Sequence, residues 1–369
     1  EALLGKALVV RHGSAPDHGS GALGEAGGDD GDGDEQIAVL EAVRARLPAG
    51  SPALASCLTE LGLTHLARAI GPGHAGSTDA SAAVDRAAAL LREAVDMRVL
   101  TGAQALPALF NLGRALSMAY ERCDDTALLA EAIQFFEAAV RAAPPSDGPG
   151  RAKVLSGLGM AVRERAERLD SVPDLHRAVD LSRQAVHAVP AGHPERALWL
   201  SHLSTALTTR YMRLHAVEDL QESVRASRQA IAALPPDAPP PERAVLLTNL
   251  GMTLRRRYER WHAFADLDEA VEALRTAVDA GGGSEVSGRA AANLCVALAD
   301  RFERTEATEE LDEAIDAGRL AVQTFPDGHT RRVMALTNLA MALLDRCRQQ
   351  ERRGDADEAV TCFRKIVHA

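Results

Sequence analysis

The chain has 369 residues, of which 46% are apolar and only 3% aromatic, with 41 basic and 52 acidic side chains for a formal charge of −11. That balance speaks against a protein that reads a nucleic-acid backbone, which needs a basic patch to displace counterions. No stretch approaches the ~20 consecutive apolar residues that span a bilayer, and no basic-then-apolar leader opens the sequence, so a soluble, cytoplasmic chain without membrane or nucleic-acid partners is expected. Abundant Ala and Leu favour helix over strand, because unbranched side chains lose little freedom in a helix.

In chain order, Glu1–Arg11 (EALLGKALVVR) is a short apolar helix candidate, so residues 1–12 read as part of an incomplete repeat. Residues 13–34 are rich in Gly, Asp and Ser and are predicted to be flexible, since they hold too little apolar surface to offset chain entropy. Inside this run, DGDGDEQIAVLE resembles the calcium loop of the EF-hand, with Asp30, Asp32 and Asp34 at its first, third and fifth places and Glu41 at the twelfth. Its sixth place holds Glu35 where a sharp turn needs Gly, and the Gly-rich segment before it cannot form an entering helix. A solvated acidic linker is therefore the expected state, with no metal and no cofactor. Glu35–Leu47 reads as the second helix of a hairpin that lacks its first.

From there to residue 369 the text repeats. Leu61, Leu112, Leu158, Leu203, Leu250, Leu294 and Leu339 recur at 44 to 51 residues, and LTNLGMTLRRRYER (247–260) answers to AANLCVALADRFER (291–304). Residues 243–260 carry Leu246, Leu247, Leu250, Leu254 and Tyr258 at helical spacing, predicting a first helix. After a break at 261–266, with Asp266 placed to cap, Leu267, Ala270, Val271, Leu274 and Val278 predict a second. Pro190, Pro235 and Pro326 close the second helix in three repeats, and Gly281–Gly283 replace that turn in another. A unit of ~45 residues that cannot bury its own apolar face must stack on its neighbours, so about seven helical hairpins over 35–369 are expected to form one all-α solenoid. In the first of them, residues 71–77 add a short insertion, and Arg68 has no acid in register.

Two charges travel with the leucines. Seven residues after the marker stands Arg165, Arg210, Arg257, Arg301 or Arg346, and sixteen after it Asp174, Asp219, Asp266, Glu310 or Asp355. Where the first is missing (Ala119) so is the second (Leu128), which predicts a pair: a cation beside the leucine stripe needs a hydrogen-bonded partner to offset its desolvation. The five cysteines (Cys57, Cys123, Cys295, Cys347, Cys362) form no CxxC and read mostly as small buried hydrophobes. No GxSxG, HExxH or P-loop spacing occurs, so catalysis is not expected.

The order of parts (Leu250 and Gly251 in the first helix, small Ala270 and Ala277 in the second, then a terminal Pro) resembles the tetratricopeptide repeat. The RYER, DL-EAV, R-AV, P wording over residues 50–369 is similar to the long, roughly 45-residue tetratricopeptide-like repeats that accompany caspase-like CHAT peptidase domains in actinobacteria. The resemblance implies a right-handed superhelical α-solenoid whose first helices line a concave groove. It further implies a non-catalytic interaction or regulatory module that binds a peptide or neighbouring domain, with a caspase-like domain of the same polypeptide as one partner. By the same resemblance the residue before each marker leucine faces the groove: Asn111, Asn249, Asn293 and Asn338, with His202 in one repeat. A helical wheel puts Met252 and Arg256 on that side, with Met160 and Met341 matching Met252. An amide row can hold a ligand backbone, or it can bond neighbouring helices across the stack; the sequence leaves both open. A sensor arm of an NTP-hydrolysing signalling protein and a self-assembling scaffold are the alternative functions. With no polar helix following the last apolar face, the expectation is an excised piece of a longer polypeptide, or a face covered by a partner.

Overall fold

A computed structural model of the chain describes residues 30–70 and 78–368. Among these are fifteen α-helices, one 3-10 turn at Gly102–Gln104 and no strand. Helix α1 (Asp30–Arg44) is followed by seven hairpins: α2 (Pro52–Ile70) with α3 (Thr78–Asp96), α4 (Leu106–Cys123) with α5 (Thr126–Ala142), α6 (Gly148–Leu169) with α7 (Val172–His187), α8 (Arg196–Leu214) with α9 (Val217–Ala233), α10 (Pro240–Trp261) with α11 (Phe264–Ala280), α12 (Glu285–Thr305) with α13 (Thr308–Thr324), and α14 (Thr330–Gln350) with α15 (Arg353–Val367). Contacts divide the chain into two compact units, Glu1–His202 and Leu203–Ala369, and within each unit successive hairpins pack side by side. None of the described helices is long and apolar enough to cross a membrane.

The leucine ladder is the core. Every rung from Leu61 to Leu339 is at most 6% exposed, and burying a leucine is worth roughly 1.5–3 kcal/mol. The residue after each rung sets how closely the two helices of a hairpin approach. A Cβ on Gly251 would lie 2.5 Å from Leu274 Cγ, and one on Gly113 would lie 2.9 Å from the Phe136 ring. Glycine is required there because the second helix brings a large side chain. In the α8–α9 hairpin the place is taken by Ser204, which hydrogen-bonds Ser227 and Ser223 of the second helix at 2.6 and 2.8 Å, and in α12–α13 by the buried Cys295.

All five arginine–acid pairs form. Arg165 reaches Asp174 through two 2.8 Å hydrogen bonds, Arg210 reaches Asp219 at 2.8 and 2.6 Å, and Arg346 reaches Asp355 at 2.8 Å twice. Arg257 and Asp266 make the same double contact. The two-pronged bond holds the Asp174 and Asp355 carboxyls below the usual carboxylate range. The longer Glu310 brings Oε1 to 2.8 Å from Arg301 Nε, yet that N–H finds no aligned acceptor. Where the pair is missing, Ala119 is buried and Leu128 packs with it against Ala69, Ala80 and Val84.

Several boundaries differ from expectation. The helices of the 243–278 hairpin meet across His262 and Ala263 alone, so Asp266 sits inside the first turn of α11 and is no cap; its carboxylate is spent on Arg257. The turn is this short because the closing residue of the first helix is left-handed without being glycine: Asp124, Asp170, His215, His262, Glu306 and Glu351 all have φ of 53–55°. Tyr258 steadies His262 by an edge-on ring contact at 5.8 Å. Arg68, without an acid in register, pairs with Asp34 at 2.9 Å, while Asp85 pairs with Arg122 at 2.5 Å.

Asp30–Arg44 is one helix rather than a loop, and of its described carboxylates Asp34 faces Arg68, and Glu41 faces Arg44 and Arg86. The predicted flexible run falls outside the described residues up to position 29, as do the 1–12 helix candidate and the 71–77 insertion. Residues 30–34 are helical. Of the cysteines, Cys57, Cys295 and Cys362 are buried, while Cys347 is half-buried and Cys123 exposed. Burial pushes the Cys295 thiol up to about 12.

Candidate binding face

Within each unit the first helices of neighbouring hairpins touch one another directly, α2–α4–α6 in one and α10–α12–α14 in the other. The second helices are spanned by long side chains instead: Arg92–Glu131 at 2.6 Å, Arg177–Glu137 at 2.5 Å, Arg228–Glu269 at 2.5 Å, Arg275–Glu313 at 2.6 Å and Arg319–Glu358 at 2.7 Å. The first helices therefore line the closer-packed inner side of each stack. Sequence reading missed these bridges, although an arginine and a glutamate 38 to 41 residues apart were there to see. It also missed that Arg196 and Arg332, at the starts of first helices, satisfy the last carbonyls of the preceding second helix, Arg196 at 2.7 Å to Val186 O and 3.1 Å to Val189 O, and Arg332 to Val322 O and Phe325 O.

The asparagine row is largely committed to the fold. Asn111 is buried and gives an amide hydrogen to Pro107 O at 2.8 Å while accepting from Arg114 at 3.2 Å. Asn293 donates to Arg289 O of its own helix at 2.8 Å. Asn338 donates to Ala292 O, on the preceding first helix, at 3.1 Å. Asn249 is half-buried and also engaged. His202 stands in line with them, 2.6 Å from Ser156 Oγ, and burial followed by the nearby Arg163 pushes its pKa down to about 4, so it is a neutral bridge between α8 and α6.

Around this row lie side chains with chemistry left over. On α10, Met252 and Arg256 are half-buried, and Arg256 has no hydrogen-bond or ion-pair partner among the described residues. Burial, then Arg255, lowers its pKa. On α12, Arg289 precedes Asn293 by one turn; burial and then Arg331 lower its pKa too, and its guanidinium is likewise unpaired among the described residues. Arg255, in contrast, is spent on Glu259 at 2.6 Å and Asp300 at 3.0 Å. Met341 on α14 is 47% exposed. The first helices of the second unit thus offer two desolvated cations and, on α14, an exposed thioether.

The corresponding face of the first unit is more acidic. Glu164 on α6 has its pKa pushed up to about 7 by burial and then by Glu121 on α4, against the pull of Arg163. Exposed Met160 stands one turn away, and the Phe110 ring carries Lys153 at 5.5 Å and Arg114 at 6.0 Å. No cluster of three or more His, Cys, Asp or Glu suited to a metal ion occurs among the described residues.

No family model and no curated protein matches the chain. Solved structures do. A chain of the APC/C hetero-tetramer Cut9–Hcn1 is similar over 84% of this chain and 52% of its own, at 13% identity and a TM-score of 0.51. MamA is similar over 58% of this chain and 93% of its own, at 16% identity and a TM-score of 0.37. The tetratricopeptide-like repeats of a putative kinesin light chain from Podosopora anserina match over 59% and 96%, at 21% identity and a TM-score of 0.41. At these identities the likeness shows the fold alone, and that fold is an α-solenoid of tetratricopeptide-like helical hairpins.

Proposed function

We propose that the chain is a non-catalytic interaction module that holds a protein segment against the inner faces of its first helices, and that the segment engaged by the second unit carries acidic and apolar side chains. The observation that supports this most is the pair Arg256 and Arg289. A half-buried guanidinium without a partner is costly, and a carboxylate supplied by a ligand offsets that cost. Met252 and Met341 on the same row of first helices offer adaptable apolar contact, which suits a peptide better than a rigid small molecule. Because Asn111, Asn293 and Asn338 already spend amide hydrogens on the fold, the arginines rather than the asparagine row carry the recognition.

Panning a peptide display library against the chain tests the idea. Enriched peptides should carry acids, and should lose about tenfold or more in affinity to an Arg256→Ala, Arg289→Ala variant. Enriched peptides that bind that variant as tightly as the parent would remove the arginines from the site. The finer reading, that such capture controls a caspase-like CHAT domain of the same polypeptide, rests on the wording shared over residues 50–369. A full reading frame without a catalytic Cys–His domain would sink it.

A further inference from the structure

The place seven residues before each marker leucine lies at the junction with the preceding hairpin, and most first helices fill it with a substantial side chain. Arg151, Arg196 and Arg332 stand there and donate to carbonyls at the end of that hairpin's second helix. Arg151 reaches Val140 O at 3.4 Å, Arg196 reaches Val186 O and Val189 O, and Arg332 reaches Val322 O and Phe325 O. Arg243 holds the place in α10, and in α2 Leu54 packs there against the cluster of Leu40, Val43 and Leu58. In α12 the residue is Ser287, whose hydroxyl donates to Val278 O at 2.9 Å. There the chain closes in to suit the smaller side chain, since a Cβ on Gly281 would lie 2.8 Å from Ser287 Cα.

At the start of α4 the same place holds Ala105, and a cavity is left. It measures about 190 Å³ and is lined by Ala94, Val95, Arg98, Leu100, Ala105 and Ala108 among others, which is more room than the ~150 Å³ that holds a benzene ring. The link 97–105 is longer than the link 281–284, so the backbone does not close in as it does at Gly281. The carbonyl positions are kept. Val278 and Val322 stand three residues after the bridging arginines Arg275 and Arg319, and Val95 stands three after Arg92, which makes the same bridge to Glu131. By the same count Arg98 matches Phe325, so the residues that correspond to both acceptors of Arg332 line the cavity. A backbone carbonyl has two lone pairs, and Val95 O spends one on the Arg98 amide at 3.1 Å.

We propose that this junction takes in an arginine side chain from a partner protein segment, its apolar stem against Ala94, Leu100 and Ala108 and its guanidinium donating to the carbonyls of Val95 and Arg98. The partner then supplies from outside the contact that Arg196 and Arg332 make from within. Guanidinium is the group that fits, because its fork of N–H donors meets two carbonyls at once, as it does at Val186 and Val189. The negative end of the α3 dipole favours a cation at the same spot. The site is independent of Arg256 and Arg289, and it asks for the opposite charge: a basic residue on the first unit, acids on the second.

Calorimetric titration of the chain with blocked arginine, N-acetyl-arginine amide, tests this. The parent should bind it in the millimolar range, and should bind blocked citrulline, which has the same shape without the charge, about tenfold more weakly. Ala105→Arg should abolish the binding by filling the place from within, and should raise the melting temperature. Ala105→Leu, which copies Leu54 of α2, should abolish it too and keeps the test intact if the arginine variant folds poorly. Glu164→Gln should leave the affinity unchanged, which separates the junction from the half-buried carboxylate of α6 as the place where the guanidinium settles. No heat with the parent would overturn the proposal. So would equal binding of citrulline, binding that survives Ala105→Leu, or binding that Glu164→Gln removes.

Discussion

The α4–α5 hairpin and the α10–α11 hairpin solve one packing problem in opposite ways. In α10–α11 a guanidinium and a carboxylate, Arg257 and Asp266, fill the space between the end of the first helix and the start of the second. In α4–α5 the same two places hold Ala119 and Leu128 in an apolar cluster, and the left-handed turn between the helices is unchanged, with φ of 55° at Asp124 and 53° at His262. The salt bridge therefore does not set the hairpin's geometry. It is one of two ways to leave nothing unsatisfied there, and each is stable only when complete.

The largest effects should come from making either solution incomplete. Asp266→Leu leaves Arg257 partly buried beside the leucine stripe and should cost about 2 kcal/mol, somewhat below the loss for a fully buried pair because Arg257 keeps some solvent. Adding Arg257→Met should bring stability back to within about 1 kcal/mol of the parent. Urea unfolding monitored by dichroism would read both, and a double variant as weak as the single one would show that the pair does more than satisfy itself. In the other direction, Ala119→Arg alone should destabilise, and Ala119→Arg with Leu128→Asp should recover most of the loss.

A slightly smaller effect tests the size matching behind each rung. Gly251→Val should cost about 1–3 kcal/mol because its branches would enter Leu274, and Leu274→Ala in the same chain should cost less than the sum of the two single changes. Strict additivity would show that the collision is relieved elsewhere.

Titration gives a subtler contrast within the first unit. Glu164 has a raised pKa of about 7, so the folded state binds its proton more tightly. Its contribution is favourable at low pH and is lost as pH rises from about 4.5 through 7. His202 has a lowered pKa of about 4, so its contribution runs the other way, being lost as pH falls from 6.5 through 4. Thermal melting against pH should therefore flatten on the neutral side in Glu164→Gln and on the acid side in His202→Gln. Unchanged profiles would place both groups in ordinary solvent. The smallest effect is expected at the turns, where Glu306→Gly should stabilise by about 0.5 kcal/mol by removing the cost of a left-handed side chain.

Much of this fold was legible because periodicity repeats the evidence. The joint absence of charge at Ala119 and Leu128 identified the arginine–acid pairs before any coordinate did. Asp266 was misread as a cap for lack of a turn residue: no glycine marks the left-handed closing position, so the two-residue connection at His262 looked longer. The binding face was the least legible part. Asn111 and Arg256 both fall at helical spacing toward the inner side, and only the bonds each makes show that one is occupied and the other available. The acids at 30, 32 and 34 matched a loop motif one residue at a time, but nothing in that spacing excludes the helix they form.

The two-residue link inside six of the seven hairpins also bears on how the molecule would carry load. With a single left-handed residue and one extended residue between helices there is no slack to pay out, and the arginine–acid pair staples the same end of five of the hairpins. The seams between hairpins are longer connections crossed by solvent-facing Arg–Glu bridges. Under tension within either unit, those seams are the springs and the hairpins are the rigid links. Extension should begin by parting hairpin from hairpin, at low force and reversibly, well before any hairpin melts.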